Sequence, residues 1–133
     1  MRRLLAALAA AALLSGAAGA EERAAAGPRI RVEPEGFDFG RVLQDRTLRK
    51  TFTIRNFGDA DLEIEGVSSS CDCTAAQPES TVVAPGGSTT LLVRLQTRRY
   101  SGRLERRVVV RTNDAKTPLL EIAVSATVEA KPR

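Results

Sequence analysis

From Leu120 to Val128 every second residue is apolar: Leu120, Ile122, Val124, Ala126 and Val128, with Ser125, Thr127 and Glu129 on the other phase. A period of two gathers these side chains on one face of an extended chain and would scatter them around a helix. The segment therefore reads as a strand with one face buried and one wet, and such a strand needs a second layer to cover it. The same alternation recurs upstream in Leu48, Phe52 and Ile54, in Leu62 and Ile64, in Leu91, Val93 and Leu95, and in Leu104, Val108 and Val110. No helical period appears after Glu21. About seven short strands with turn signals every dozen or so residues predict an all-β, antiparallel immunoglobulin-like β-sandwich.

The punctuation between strands is specific. Ile30-Arg31-Val32 starts an extended segment that Pro34 confines to an edge, and Phe37-Asp38-Phe39-Gly40 resumes it. Asn56-Phe57-Gly58-Asp59 and Ala84-Pro85-Gly86-Gly87 are turns. After Leu62 and Ile64 the next apolar residue is Val67, so the phase slips by one at Gly66, which predicts a bulge there. Ala75 to Ser80, with Pro78, reads as a loop.

Met1-Arg2-Arg3, the Leu/Ala run from Leu4 to Leu14 and Ala18-Gly19-Ala20 have the layout of a signal peptide, with cleavage expected before Glu21. The apolar run is too short to span a bilayer, so no integral membrane segment is expected in the mature chain and a periplasmic or secreted location is. Residues 1–20 are thus read as signal peptide, 21–28 as a disordered leader, 29–128 as the sandwich and 129–133 as a tail. The formal charge is +4. Removing Arg2 and Arg3 leaves +2, which predicts no nucleic-acid partner, since that would call for a clustered basic stripe. A chain of this size can bury one core without staples.

The chain has no His and no Trp. No Ser-His-Asp or Cys-His nucleophilic arrangement and no imidazole base can be built from it. Two cysteines and no His make neither a Cys/His nor a Cys₄ zinc site. No catalytic residue and no cofactor is expected, and the chain is not expected to be an enzyme.

What chemistry remains lies in Cys71 and Cys73, the only cysteines. Across an extended strand their Cα atoms would lie roughly 6.6 Å apart, twice the strand rise, whereas a relaxed disulfide prefers about 5.5–6 Å. A bridge therefore needs a local bend or strain. Three readings stay open: a small local staple, a redox dithiol, or a pair of thiolates for a soft metal such as Cu(I). A loop so short contributes little as a staple. Asp72 counts against redox work, because a carboxylate between two thiols disfavours the thiolate. The metal reading lacks Met and further Cys or His ligands, since the only Met is Met1.

Phe37-Asp38-Phe39-Gly40-Arg41-Val42, Phe52-Thr53-Ile54-Arg55-Asn56-Phe57-Gly58 and Leu62-Glu63-Ile64 resemble the opening strands of Hydin-like and major-sperm-protein-like immunoglobulin domains. Ser70-Cys71-Asp72-Cys73-Thr74, Ala84-Pro85-Gly86-Gly87-Ser88, Gly102, Thr112-Asn113-Asp114, Pro118 and Ile122-Ala123-Val124-Ser125-Ala126 resemble a bacterial secreted family of undefined function with a Ser-Cys-Gly-Cys-Thr motif. The resemblance covers Arg29 to Val128 and departs at Asp72, where that family has Gly. It implies a fold and an envelope location but no activity. The expectation is a non-catalytic binding or scaffolding module of the bacterial envelope with an unknown protein partner.

Two charged series are candidates for other ligands. Asp59, Asp61, Glu63 and Glu65 alternate on one face, which suggests calcium but fits a solvated strand face better, because calcium wants convergent oxygens. Arg98, Arg99, Arg103, Arg106, Arg107 and Arg111 could meet an anionic polymer or simply guard a strand edge.

Overall fold

The computed structural model describes residues 27–130. These residues form nine strands: β1 (Ile30–Glu33), β2 (Gly36–Leu43), β3 (Thr47–Asn56), β4 (Leu62–Ser69), β5 (Thr74–Pro78), β6 (Val82–Val83), β7 (Ser88–Gln96), β8 (Gly102–Thr112) and β9 (Leu119–Glu129). They pack as a four-stranded sheet ordered β1-β3-β7-β5 against a five-stranded sheet ordered β2-β9-β8-β4-β6. Among the described residues no helix is long and apolar enough to cross a membrane. The signal peptide expected over residues 1–20 lies outside the described residues.

The alternating side chains fill the space between the sheets. Phe52, Ile54, Leu62, Leu91, Val93, Val108, Val110, Ile122 and Val124 are wholly enclosed and form one contiguous cluster. Each contributes about 1.5–3 kcal/mol relative to leaving it in water. A smaller cluster of Cys73, Leu95, Leu104, Ala126 and Val128 occupies one end, with Tyr100 and Cys71 packed against it.

Three features differ from the sequence expectation. There are nine strands rather than about seven, because Thr74–Pro78 is a strand where a loop was expected, its small residues and Pro78 masking the pattern, and because the segment interrupted at Pro34 is two strands. The sandwich is not wholly antiparallel: β2 runs parallel to β9. The segment around Pro34 is not one interrupted strand, since β1 pairs with β3 in one sheet and β2 with β9 in the other. Gly27 C=O accepts from Asp59 N–H. Glu129 closes β9.

Other expectations match. β1 is an edge strand, and the β4–β8 register shifts between Ile64 and Gly66, where the phase slip called for a bulge.

Buried polar side chains tie the turns to the sheets. Thr97 Oγ1 accepts from Arg46 N–H at 2.8 Å and donates to Leu43 C=O at 2.9 Å. Asp114 accepts from Ile30 N–H at 2.9 Å through Oδ2 and from Lys116 N–H at 2.8 Å through Oδ1. Gly58 permits a close approach of the chain: a Cβ there would run into the backbone of Gly27, Pro28 and Arg29.

Candidate functional site

β4 belongs to the five-stranded sheet and β5 to the four-stranded one, so residues 70–73 carry the chain across the sandwich. Within that crossing, Thr74 N–H donates to Cys71 C=O at 3.1 Å, closing a β-turn with Asp72 and Cys73 at its centre. The turn brings the two Cα atoms to 5.2 Å and the two sulfurs to disulfide distance. This is the bend that the spacing required. Among the described residues the non-glycine ones with positive φ are Asp45 and Arg98, so Asp72 stands in place of the motif's Gly without adopting a left-handed backbone.

The turn is fixed from several directions. The single Ser69 Oγ–H is shared between Cys71 C=O at 2.9 Å and Thr74 C=O at 2.7 Å. Gln96 N–H donates to Cys73 C=O at 2.8 Å, Ser70 N–H to Arg107 C=O at 3.0 Å, and Arg107 N–H to Ser70 Oγ at 3.0 Å. The crossing is therefore stitched to β7 and β8 through backbone groups.

The two sulfurs differ in surroundings. Cys73 is 2% exposed and sits in the small apolar cluster, while Cys71 is partly open to solvent. Arg106 Nε–H donates to Cys73 Sγ at 3.4 Å, and Thr74 Oγ1 lies 3.6 Å from the same sulfur. Cys73 N–H donates to Cys71 Sγ at 3.1 Å, and the Tyr100 hydroxyl lies 3.8 Å from it. The Arg106 guanidinium also rests over the Tyr100 ring, 5.3 Å from its centroid, a favourable cation–π placement. The Asp72 side chain is 85% exposed; its Oδ1 lies 3.7 Å from Cys71 Sγ and pairs with Arg98 at 3.2 Å.

Arg106 and Tyr100 were not singled out from the sequence as neighbours of the cysteines. A signal existed for Arg106: it shares the phase of Leu104 and Val108, both buried, and so points inward. The other arginines of that series are engaged differently. Arg103 pairs with Asp38 at 3.0 Å and Arg107 with Glu121 at 3.1 Å on the outer face of the five-stranded sheet. Arg111 donates to Glu65 C=O at 3.4 Å. They do not form a free basic stripe. The Gly40 N–H and the Arg103 guanidinium, in that order, hold the Asp38 carboxyl below its ordinary range. Among the described residues no group of three or more His, Cys, Asp or Glu side chains could hold a metal ion, and Asp59, Asp61, Glu63 and Glu65 do not converge into such a group.

The outer face of the four-stranded sheet is of another character. Gln77, Leu92 and Thr51 lie side by side in register across β5, β7 and β3, and Ala75, Arg94 and Arg49 form the adjacent row. Shallow depressions of about 150 and 420 Å³ open there, with Gln77 and Leu92 lining both. Arg49 and Arg94 are exposed, directly opposite each other, and neither joins a salt bridge among the described residues.

The fold has solved relatives. A protein of unknown function from Porphyromonas gingivalis matches with a TM-score of 0.68 at 24% identity over 78% of this chain and 48% of that one. The PapD-like domain 7 of human CEP192 matches with a TM-score of 0.64 at 12% identity, over 96% of this chain and all of that one. The secreted serine protease VesC of Vibrio cholerae matches with a TM-score of 0.57 at 16% identity, over 84% of this chain and 25% of that protein. The chain thus spans about half of the first relative and a quarter of the protease. No curated protein sequence matches it. The model of the HYDIN/CFA65/VesB-like Ig-like domain matches residues 28–127, which takes in β1 to β8 and nearly all of β9, and the chain belongs to that family.

Proposed function

We propose that this chain is a non-catalytic binding or scaffolding module, exported to the bacterial envelope or beyond, which docks a protein partner on the outer face of its four-stranded sheet. The observation that carries the reading is the placement of Arg49 directly opposite Arg94 on neighbouring strands. Like charges in that position destabilise a sheet by a few tenths of a kcal/mol or more, and an acidic group on a partner would relieve the repulsion. Beside them Leu92, Thr51, Ala75 and Gln77 offer a shallow surface of uncharged side chains, with Glu79 at its β5 end. The free edge of β5 is an unsuitable docking strand: Thr74 N–H and C=O are already bonded within the turn, and Pro78 has no N–H to donate.

The test uses charge reversal. Arg94→Glu places opposite charges across the strand pair, so it should raise stability slightly, by about 0.2–1 kcal/mol, while weakening capture of the partner. The wild-type domain, immobilised against envelope extract, should retain the same protein as a Cys71→Ser/Cys73→Ser double variant and lose it with Arg94→Glu or Leu92→Arg. Capture unchanged by both face substitutions would overturn the assignment of the surface. Recovery of the chain in the cytosol with residues 1–20 intact would overturn the location.

A further inference from the structure

We propose that Cys71 and Cys73 form a reducible bridge that exchanges electrons with a protein dithiol, with Cys71 as the attacked sulfur and Cys73 as a leaving thiolate held by Arg106. The inference goes beyond the binding role and does not depend on it, since the four-stranded face and this turn use different residues.

The donors around the two sulfurs motivate it. A disulfide sulfur is a weak hydrogen-bond acceptor, so a cation placed against one gains little. Arg106 nevertheless takes an inward position on β8, stacks on Tyr100 and directs Nε–H at Cys73 Sγ. Beside a thiolate the same contact becomes a charge-assisted hydrogen bond, roughly twice as strong as a neutral one. Cys73 N–H and the Tyr100 hydroxyl stand likewise toward Cys71 Sγ. The reduced pair thus gains interactions that the bridge uses poorly, which favours reduction. Asp72, expected to oppose this, keeps Oδ1 3.7 Å from Cys71 Sγ, but the same oxygen pairs with Arg98 at 3.2 Å and the side chain is 85% exposed, so solvent and the guanidinium screen its charge.

Exposure sets the direction of attack. Cys73 Sγ is enclosed and Cys71 is the sulfur that solvent reaches. An incoming thiolate bonds to Cys71 Sγ, the Cys71–Cys73 bond breaks, and Cys73 leaves with the electron pair as a thiolate facing Arg106. The second thiol of the partner, as its thiolate, then attacks its own sulfur in the mixed disulfide. Cys71 is released and takes up a proton, the partner becomes a disulfide, and the bridge has accepted two electrons. The reverse sequence oxidises a partner dithiol.

The test needs no partner protein. The full mature chain is equilibrated with reduced and oxidised glutathione, and the dithiol fraction is read by alkylation and intact mass. Arg106→Gln should shift the exchange constant about tenfold toward the bridge, equal to about 30 mV for a two-electron couple. Arg106→Lys should recover part of that shift, and Tyr100→Phe should move the constant the same way by about threefold. In single-cysteine variants, Cys71 in Cys73→Ser should form the mixed disulfide with oxidised glutathione at least tenfold faster than Cys73 in Cys71→Ser. An exchange constant unchanged within twofold in folded Arg106→Gln would overturn the proposal. Should that variant fail to fold, equal or faster labelling of Cys73 in the single-cysteine pair would do the same.

Discussion

Replacing Asn56 by Ala should be among the most damaging single changes in the domain, although nothing about it concerns the core's apolar volume. Asn56 is 1% exposed, and its amide makes four hydrogen bonds. Oδ1 accepts from Arg29 N–H at 3.1 Å and Gly58 N–H at 3.0 Å. Nδ2 donates to Ala60 C=O at 2.7 Å and Val83 C=O at 2.9 Å. One side chain therefore joins the start of β1, the β3–β4 turn and β6. Truncation orphans four backbone groups. The Val83 bond is buried and its loss should cost about 2 kcal/mol, while the other three lie partly open, where water can substitute, at about 0.5–1 kcal/mol each. The sum is about 4 kcal/mol, against a total stability of roughly 5–15 kcal/mol for a domain of this kind. In urea unfolding the midpoint should fall with the slope unchanged, and the melting temperature should drop by about 15–30 °C. Asn56→Asp keeps the size but turns a carboxylate oxygen toward the Ala60 and Val83 carbonyls, so it should be no milder. A loss below about 1 kcal/mol for Asn56→Ala would refute the reasoning that buried backbone groups here depend on this amide.

Gly58→Ala should destabilise by about 2 kcal/mol or more, the scale of an overpacked site, because its Cβ would meet the backbone of Gly27, Pro28 and Arg29 rather than a side chain free to move; a midpoint within error of wild type in urea would contradict it. The Asp38 carboxyl should titrate below the ordinary value of about 3.9, since Gly40 N–H and Arg103 favour its charged form. Because its folded value is depressed, the contribution is complete above the unfolded value and fades as pH falls through the folded one. Arg103→Gln should therefore raise the midpoint in an NMR titration without returning it fully, the Gly40 bond remaining; no change would refute the assignment.

Much of this architecture is legible in the residues because burial on one face enforces a period of two, and a break in that period is itself informative. The slip from Ile64 to Val67 marks the Gly66 bulge for that reason. What period cannot carry is which sheet a strand joins. β1 and β2 differ in partner, yet the few residues around Pro34 read as one interrupted strand, because pairing is decided by contacts with β3 and β9 far along the chain. β5 escaped for a different reason: Ala75, Ala76 and Pro78 carry too little apolar contrast to show an inward face. At the cysteines, the spacing defined the need for a bend, and the turn between the sheets supplies it. The chemistry beside them was less visible. Arg106 lies 33 residues from Cys73, and only its phase within β8, between Leu104 and Val108, betrays an inward-facing cation.

The most direct test of the account is the intact mass of the protein recovered from the envelope fraction, alkylated before and after reduction. The account predicts a chain beginning at Glu21, with no label before reduction and one label on each of Cys71 and Cys73 after it. Immediate labelling of both cysteines, or a chain that retains residues 1–20, would contradict it.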